Sequence, residues 1–284
     1  MGEKNNLKID DDTLKELQIV LLSMLKDFDK FCRENKIEYW LDSGTCLGAI
    51  RHGGFIPWDD DVDIGMLRSD YMRFINCCKF RLKKPYFLQM VETDSEMPFL
   101  YAKVRLDGSK YVEYSNRLVN MHKGIYIDVF PYDAVPDKFN EFRRFMKIME
   151  WLSKVYQWKH STDISLPPSS IKDEIKKGFR LIVHTCLKIV PNRLFIKMLR
   201  ENEQKYNGKS EQVLCVYFGD GYPSYNKKDL VPTTRKLFED TYLPVPNNFD
   251  LYLNKMYGEW KKYPPEEQRF GHKPWELVLP DSLK

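Results

Sequence analysis

Apolar residues recur every three or four positions from Leu14 through Leu17, Leu21, Leu25 and Phe28 to Phe31. That spacing predicts a helix over 12–35. Thr13 and Glu16 have the form of a capping box at its start. Residues 37–42, IEYWLD, are short, apolar and aromatic, and predict a strand. Ser43-Gly44-Thr45 then turns the chain into a short helix, CLGAIRH, followed by the loop GGFIPW. In DDDVDIGM acidic residues alternate with apolar ones, which predicts a second strand. A helix is expected over 70–80, and strands over 86–91, 100–106, 110–113 and 125–130. Asp107-Gly108 is a hairpin signal between two of them. Pro131 stops the last. From 138 to 206 the pattern is helical, interrupted by LPPSS at 166–170. Beyond 206 only a short helix over 247–257 stands out among Pro, Gly and aromatic residues.

Strands and helices alternate in the first half and helices fill the middle. The expected fold class is therefore α/β, in the α+β sense, with a mixed sheet core, flanking helices and a helical segment. The expected organisation is a core over 1–136, a helical segment over 137–206 and a C-terminal segment over 207–284 that packs back on the core. A length of 284 residues allows this, and 43% hydrophobic with 30% charged residues is ordinary for a globular chain. The polar first ten residues are expected to fray. The net charge of +4 is too small and too dispersed to argue for nucleic acid as a partner. It suits anionic small substrates or an anionic membrane surface. Six cysteines, including adjacent Cys77 and Cys78, form no C-x-x-C and read as free thiols. MGEKNNLKIDDD lacks the apolar core of a signal peptide, and no stretch reaches the roughly 20 apolar residues of a membrane span. The expectation is a cytoplasmic protein, attached to the inner face of a membrane only peripherally.

Chemistry concentrates between Tyr39 and Phe74. Carboxylates stand at positions 42, 59, 60, 61 and 63. Like charges this close repel unless a cation neutralises them, and Mg²⁺ takes carboxylate and phosphate oxygens. On a strand, Asp61 and Asp63 share one face while Val62 and Ile64 point to the core. Asp59 joins that face if the strand begins early. The Ser43 hydroxyl and the N–H groups of Gly44 and Thr45 sit at a helix start, where a phosphate can be held. Asp128, an acid between apolar Ile127 and Val129, is the candidate third carboxylate, as metal ligand or base. The plain alternatives are a solvated acidic loop for DDDVD and a salt-bridged core acid or helix cap for Asp128. A calcium loop is excluded by Ile64 where Gly is needed and by Asp70 where Glu is needed. Lys103 and Arg105 alternate on one strand face, as phosphate or acceptor contacts or as a solvated face.

The run GTCLGAIRHGGFIPWDDDVDIGMLRSDYMRF closely resembles the LicD family of phosphotransferases, and GIYIDVFPYD (124–133) and PPEEQRFGHKPW (264–275) extend the resemblance. It implies a nucleotidyltransferase-like core. Bacterial members are similar to enzymes that move phosphocholine from CDP-choline to sugars of teichoic acid, lipopolysaccharide or related glycans, releasing CMP. Animal relatives transfer ribitol phosphate from CDP-ribitol. The resemblance assigns metal carboxylates to Asp61 and Asp63, with Asp59 close by, and the third acid to Asp128. The ion would be Mg²⁺ or Mn²⁺. Ser43-Gly44 stands where the superfamily has Gly-Gly or Gly-Ser, so the phosphate contact there departs from the pattern. Arg51, His52, Arg269 and His272 lie in matching segments and are candidates for donor or acceptor binding. Trp40, Trp58, Tyr126 and Trp275 are candidates for an aromatic cage around choline.

Ile171, Ile175, Phe179, Ile182, Cys186 and Ile189 line one side of a basic helix over 171–190. Such a helix rests on a membrane, suiting a lipid-linked glycan acceptor, or packs on the core. Three readings stay open on function: phosphocholine transfer, the same chemistry with another CDP-activated donor, and nucleotidyl transfer at the same site. A non-catalytic metal- or nucleotide-binding module of a glycan-assembly complex is the non-enzyme alternative.

Overall fold

The structure, a computed structural model, describes residues 9–161, 171–219 and 221–281. In chain order its elements are α1 (Asp11–Glu34), β1 (Trp40–Leu41), α2 (Ser43–Arg51), β2 (Asp63–Leu67), α3 (Arg68–Arg81), β3 (Tyr86–Gln89), β4 (Ala102–Leu106), β5 (Lys110–Val112), β6 (Tyr126–Ala134), α4 (Phe139–His160), α5 (Ile171–Leu187), α6 (Asn192–Glu203), β7 (Gln212–Leu214), β8 (Tyr225–Asn226), α7 (Lys227–Leu230), β9 (Thr234–Phe238), β10 (Thr241–Val245), α8 (Phe249–Tyr257) and β11 (Glu276–Val278).

Five strands lie in the order β1-β2-β6-β4-β3, and β7 and β8 extend the sheet from the far end of β6. Only the β2–β6 pair is parallel among the described pairs. Every residue of β6 is buried, as expected of a central strand covered on both faces. Helix α1 lays Leu17, Leu21, Leu25 and Phe28 into the main core. Its N-cap is Asp10, whose carboxylate accepts from the Thr13 N–H at 2.9 Å, so Thr13 is not the cap. A second apolar cluster joins Phe145, Met149 and Tyr156 of α4 to Leu199 of α6 and Leu214 of β7.

Two expectations are corrected. Asp107-Gly108 turns the chain, but β4 and β5 do not form a hairpin: β5 pairs with β11, so the C-terminal segment supplies its partner. The apolar side of α5 is not packed on the core. Ile175, Phe179 and Ile182 remain 60–67% exposed, and Ile189 is exposed as well. The Ile171 side chain and the LPPSS loop lie outside the described residues, as do residues 1–8. No described helix is long and apolar enough to cross a membrane.

Candidate active site

Parallel pairing of β2 with β6 sets Asp63 opposite Asp128, and antiparallel pairing of β4 with β6 sets Lys103 opposite Asp128. Register partners on adjacent strands face the same way. Asp63, Asp128 and Lys103 therefore form a row across three strands. Lys103 Nζ lies 2.6 Å from Asp128 Oδ1, and its ammonium also sits 3.6 Å from the centre of the Tyr126 ring. Lys103 and Arg105 are both buried, which corrects the expectation of a solvated face. Arg105 donates to Gln89 Oε1 and to the Gly124 carbonyl, both at 2.7 Å, and so builds the sheet interior.

Strand β2 begins at Asp63, so Asp61 sits in the preceding loop rather than on the strand. The alternation survives nonetheless. Asp60 and Val62 are buried, while Asp59, Asp61 and Asp63 are part-exposed on the other side. Asp60 accepts hydrogen bonds from the Tyr111 hydroxyl (2.7 Å) and from the His272 N–H (3.0 Å), and meets His272 Nδ1 at 3.0 Å. His272 Nδ1 lies 3.4 Å from Asp61 Oδ2. A Cβ on Gly271 would come within 2.6 Å of Asp60 Cγ, so this approach of the C-terminal segment requires glycine.

The electrostatics follow from burial and crowding. Burial, then the charges of Asp61 and Asp128, push Asp63 well above the carboxylate range. Burial, then Asp61 and Asp60, do the same to Asp59. Asp61 is raised to about 6, chiefly by burial, with His272 opposing. Burial raises Asp128 and Lys103 opposes. Burial also raises Asp60, but its bonds to His272 outweigh this and hold it low. His272 is raised to about 10, first by its hydrogen bond to Asp60, so it is an imidazolium. Two cations thus serve Asp128, Asp60 and Asp61. Among the described residues, Asp59 and Asp63 pair with none.

That uncompensated charge is the test of metal fit. Hard carboxylate oxygens held above their normal protonation by burial and mutual repulsion suit a divalent cation. The tightest grouping of possible ligand atoms, within 4.8 Å of one another, joins Asp60, Asp61 and His272 rather than Asp61, Asp63 and Asp128. Asp61, Asp63 and Asp59 are the part-exposed carboxylates on the same side of the chain.

The α2 start is only partly free for phosphate. Asp42 caps it, accepting from the Ser43 N–H (2.9 Å) and from the hydroxyls of Tyr132 (3.0 Å) and Tyr252. The Ser43 N–H is engaged there, and the Thr45 hydroxyl accepts from the Asp63 N–H at 2.9 Å. The buried Ser43 hydroxyl has no partner among the described residues. Gly44 faces Asp59: a Cβ there would lie 3.2 Å from Asp59 Oδ2.

Arg51 and Arg269 are committed to the C-terminal segment. Arg51 donates to the carbonyls of Trp260 (2.9 Å) and Lys262 (3.2 Å), and Arg269 to that of Pro264 (2.8 Å). Both guanidinium groups lie over the Tyr263 ring. His52 and Trp58 border the same ring, and both His52 nitrogens lack partners among the described residues. Of the cage candidates, Trp40 is core and the Tyr126 face is covered by Lys103 and Arg105. Arg269 sits 5.5 Å from the Trp58 ring centre and Arg117 5.7 Å from that of Trp275.

Sequence reading missed four groups. Asp42 and Asp60 were counted among the acids but given no role. Tyr222 and Tyr257 are 40% and 43% exposed. Burial, then the charges of Asp63 and Asp42, raise both phenols. No spacing rule connects them to Asp63.

Comparison with known proteins identifies the family. Residues 36–173 match the LicD/FKTN/FKRP nucleotidyltransferase domain family, the stretch that carries Asp61, Asp63, Lys103 and Asp128. The chain is 32% identical over 276 residues to the lipopolysaccharide cholinephosphotransferase LicD of Haemophilus influenzae, covering 92% of this chain and 96% of that protein. Human ribitol 5-phosphate transferase FKRP shares 56% identity over 34 residues, 12% of this chain and 7% of its own. Mannosyltransferase regulator 4 of Saccharomyces cerevisiae is 30% identical over 127 residues, 40% of this chain and 10% of its own. Similarity over nearly the whole of both chains, added to the family match at the acidic row, makes this chain a member of the LicD family.

Proposed function

We propose that this chain transfers phosphocholine from CDP-choline to a sugar hydroxyl of a cell-surface glycan precursor, releasing CMP. The observation that carries the reading is the Asp63–Asp128–Lys103 row, with Asp61 part-exposed beside it. The cholinephosphotransferase similarity along the whole chain supports the donor.

Asp61 and Asp63, with Asp59 adjacent, would hold Mg²⁺ or Mn²⁺, which when bound supplies positive charge to the pyrophosphate oxygens. In the reaction, the acceptor oxygen forms a bond to the choline-bearing phosphorus as the bond from that phosphorus to the CMP oxygen breaks. Asp128 takes the acceptor proton on the carboxylate oxygen that Lys103 does not engage. Burial favours the protonated form of Asp128, and Lys103 opposes it. The first-turn N–H groups of Gly44 and Thr45 favour negative charge at the start of α2. Tyr222 and Tyr257 offer ring faces to the trimethylammonium group, whose charge the neighbouring acids favour.

The exposed apolar side of α5, flanked by exposed Lys172, Lys176 and Lys188, supports peripheral contact with an anionic membrane carrying a lipid-linked acceptor.

The test is CMP release from CDP-choline with Mg²⁺ and with EDTA, using a glycan extract as acceptor and product mass as readout. A metal-dependent mass gain of phosphocholine is expected. A product that retains the nucleotide would replace the reading with nucleotidyl transfer. Turnover with CDP-ribitol alone would change the donor. No turnover with either donor would leave a binding module.

A further inference from the structure

Away from the acidic row, a cavity of about 500 Å³ opens where the end of α4 meets the last turns of α5 and the loop that follows β5. Two buried groups in its wall have polar capacity that the fold leaves unused. His160 is 9% exposed; neither ring nitrogen makes a hydrogen bond of normal geometry among the described residues, and the Asn192 side chain and the Glu96 backbone act on it more weakly. Lys159 is 7% exposed and donates to the carbonyls of Leu187 (2.9 Å) and Val190 (2.7 Å). These bonds use two of its three N–H groups and leave its charge unpaired.

Buried ammonium groups are ordinarily paired with an acid. Among the described residues no carboxylate forms an ion pair with Lys159. Glu96, exposed at the rim, acts on it from a distance, and Lys188 opposes Glu96. His184 of α5 and Lys188, just past its end, line the same cavity. Burial, then the charges of Lys159 and His184, hold His160 at about 4. It is therefore neutral at pH 7, with one nitrogen a donor and the other an acceptor.

We infer that this cavity is a second binding site, built for an oxyanion of the phosphate class. Lys159 supplies the missing charge pairing, one His160 nitrogen donates, and Lys188 attracts the anion at the mouth. A monohydrogen phosphate or phosphomonoester also brings acceptor oxygens to Lys159 and His160. The volume accommodates a sugar ring beside the phosphate. Two sources share this chemistry: a soluble sugar phosphate, and the phosphate of a lipid that reaches the cavity along α5. That such a ligand is part of the glycan acceptor rests on the proposed function. The anion site itself does not.

The experiment uses the full chain labelled with ¹⁵N. The His160 ring nitrogens are followed by long-range ¹H–¹⁵N correlation while inorganic phosphate, a hexose 6-phosphate, phosphatidylglycerol vesicles or phosphatidylcholine vesicles are added, with calorimetry in parallel. Saturable shifts at His160 are expected with a soluble phosphate or with the anionic vesicles, and the responding probe names the source. Lys188→Glu lies at an exposed position and spares the fold. It should weaken binding by about tenfold. Lys159→Met should abolish binding. Affinity for CDP-choline should be unchanged in both variants, separating this cavity from the acidic row. Silent His160 nitrogens with every probe at about 10 mM, far weaker than a built site allows, would overturn the inference. So would phosphate binding that Lys188→Glu leaves intact and CDP-choline competes away. Absence of CMP release in the transfer assay would leave these results standing.

Discussion

Asp63 and Asp128 are register partners on adjacent parallel strands, so their carboxylates leave the same face of the sheet side by side. The two are not equivalent. Lys103, opposite Asp128 on the next strand, compensates one of them. Asp63 faces Asp61, Asp128, Asp42 and Asp59 without a cationic partner among the described residues. The sheet thus fixes a charge imbalance that backbone hydrogen bonds hold in place and that folding alone does not relieve.

Asp63→Asn tests that imbalance, because function and stability should move in opposite directions. Removing the charge should lower transferase activity at least about 100-fold. It should also raise the melting temperature of the metal-free protein by about 2–4 °C, the shift that roughly 1 kcal/mol gives in a domain of this size. Differential scanning calorimetry in EDTA reads the second effect. A destabilised, metal-free Asp63→Asn would mean that Asp63 has a structural partner and is not a vacant ligand.

Lys103→Met should act in the other sense. It leaves Asp128 buried without its cation, at a cost of about 3–5 kcal/mol. Adding Asp128→Asn should recover most of that loss, since neither charge then remains. Urea denaturation of the single and double variants measures the recovery. A double variant as unstable as Lys103→Met would show that Lys103 acts through packing on Tyr126 rather than through the ion pair.

The acidic row was legible in part because alternation is a local property. DDDVD shows which acids share a side even though β2 starts only at Asp63. Asp128 was legible as an isolated acid in an apolar strand. The partners were not. Lys103 meets Asp128 through strand pairing, Asp60 meets His272 across 212 positions, and Asp42 meets Tyr252 across 210. No periodicity reports such contacts. The hairpin expected at Asp107-Gly108 failed for the same reason. The turn is local, but the partner of β5 is chosen by β11, which lies far along the chain. The side of α5 was legible as apolar, whereas its exposure depends on what the core leaves uncovered.

The metal-free protein should lose stability as pH rises from about 6.5 to 8. A carboxylate whose folded-state pKa lies above its unfolded value binds more protons folded than unfolded, so rising pH favours unfolding. Asp59 and Asp63 are both raised in this way. The His272 imidazolium acts in the same direction. Its stabilisation is complete below about 6.5, the unfolded value, and is lost as pH rises towards its folded value of about 10. His160, held at about 4, has the opposite sign, but its contribution is complete by about 6.5. Saturating Mg²⁺ should raise the melting temperature more at pH 8 than at pH 6, because only ionised carboxylates bind it. Melting curves in EDTA and in Mg²⁺ across this range check both parts. A metal-free melting temperature that climbs over the window would contradict the uncompensated acids.

Gly271→Ala should disturb the site without touching an acid. Its Cβ would meet Asp60 Cγ at 2.6 Å, and the hydrogen bonds from His272 would have to lengthen. The His272 titration should then fall from about 10 towards the ordinary value, and NMR of the imidazole reads that directly. Activity should drop with it, by about 10-fold or more, as for loss of a supporting contact. An unchanged His272 titration would show that the C-terminal segment reaches Asp60 by another path.

Tyr222 and Tyr257 test the donor head group. Both rings are exposed and both phenols feel the charges of Asp63 and Asp42, and a trimethylammonium against an aromatic face gains about 0.5–2 kcal/mol. Tyr222→Ala and Tyr257→Ala should therefore raise KM for CDP-choline by about 3- to 30-fold with kcat little changed. The Phe variants keep the ring face and should stay close to wild type. CDP alone, which lacks choline, should inhibit all four variants as it does the parent. Equal weakening of CDP and CDP-choline would move these tyrosines to the nucleotide end of the donor. Weakening in the Phe variants too would mean that the hydroxyl, and not the ring face, makes the contact.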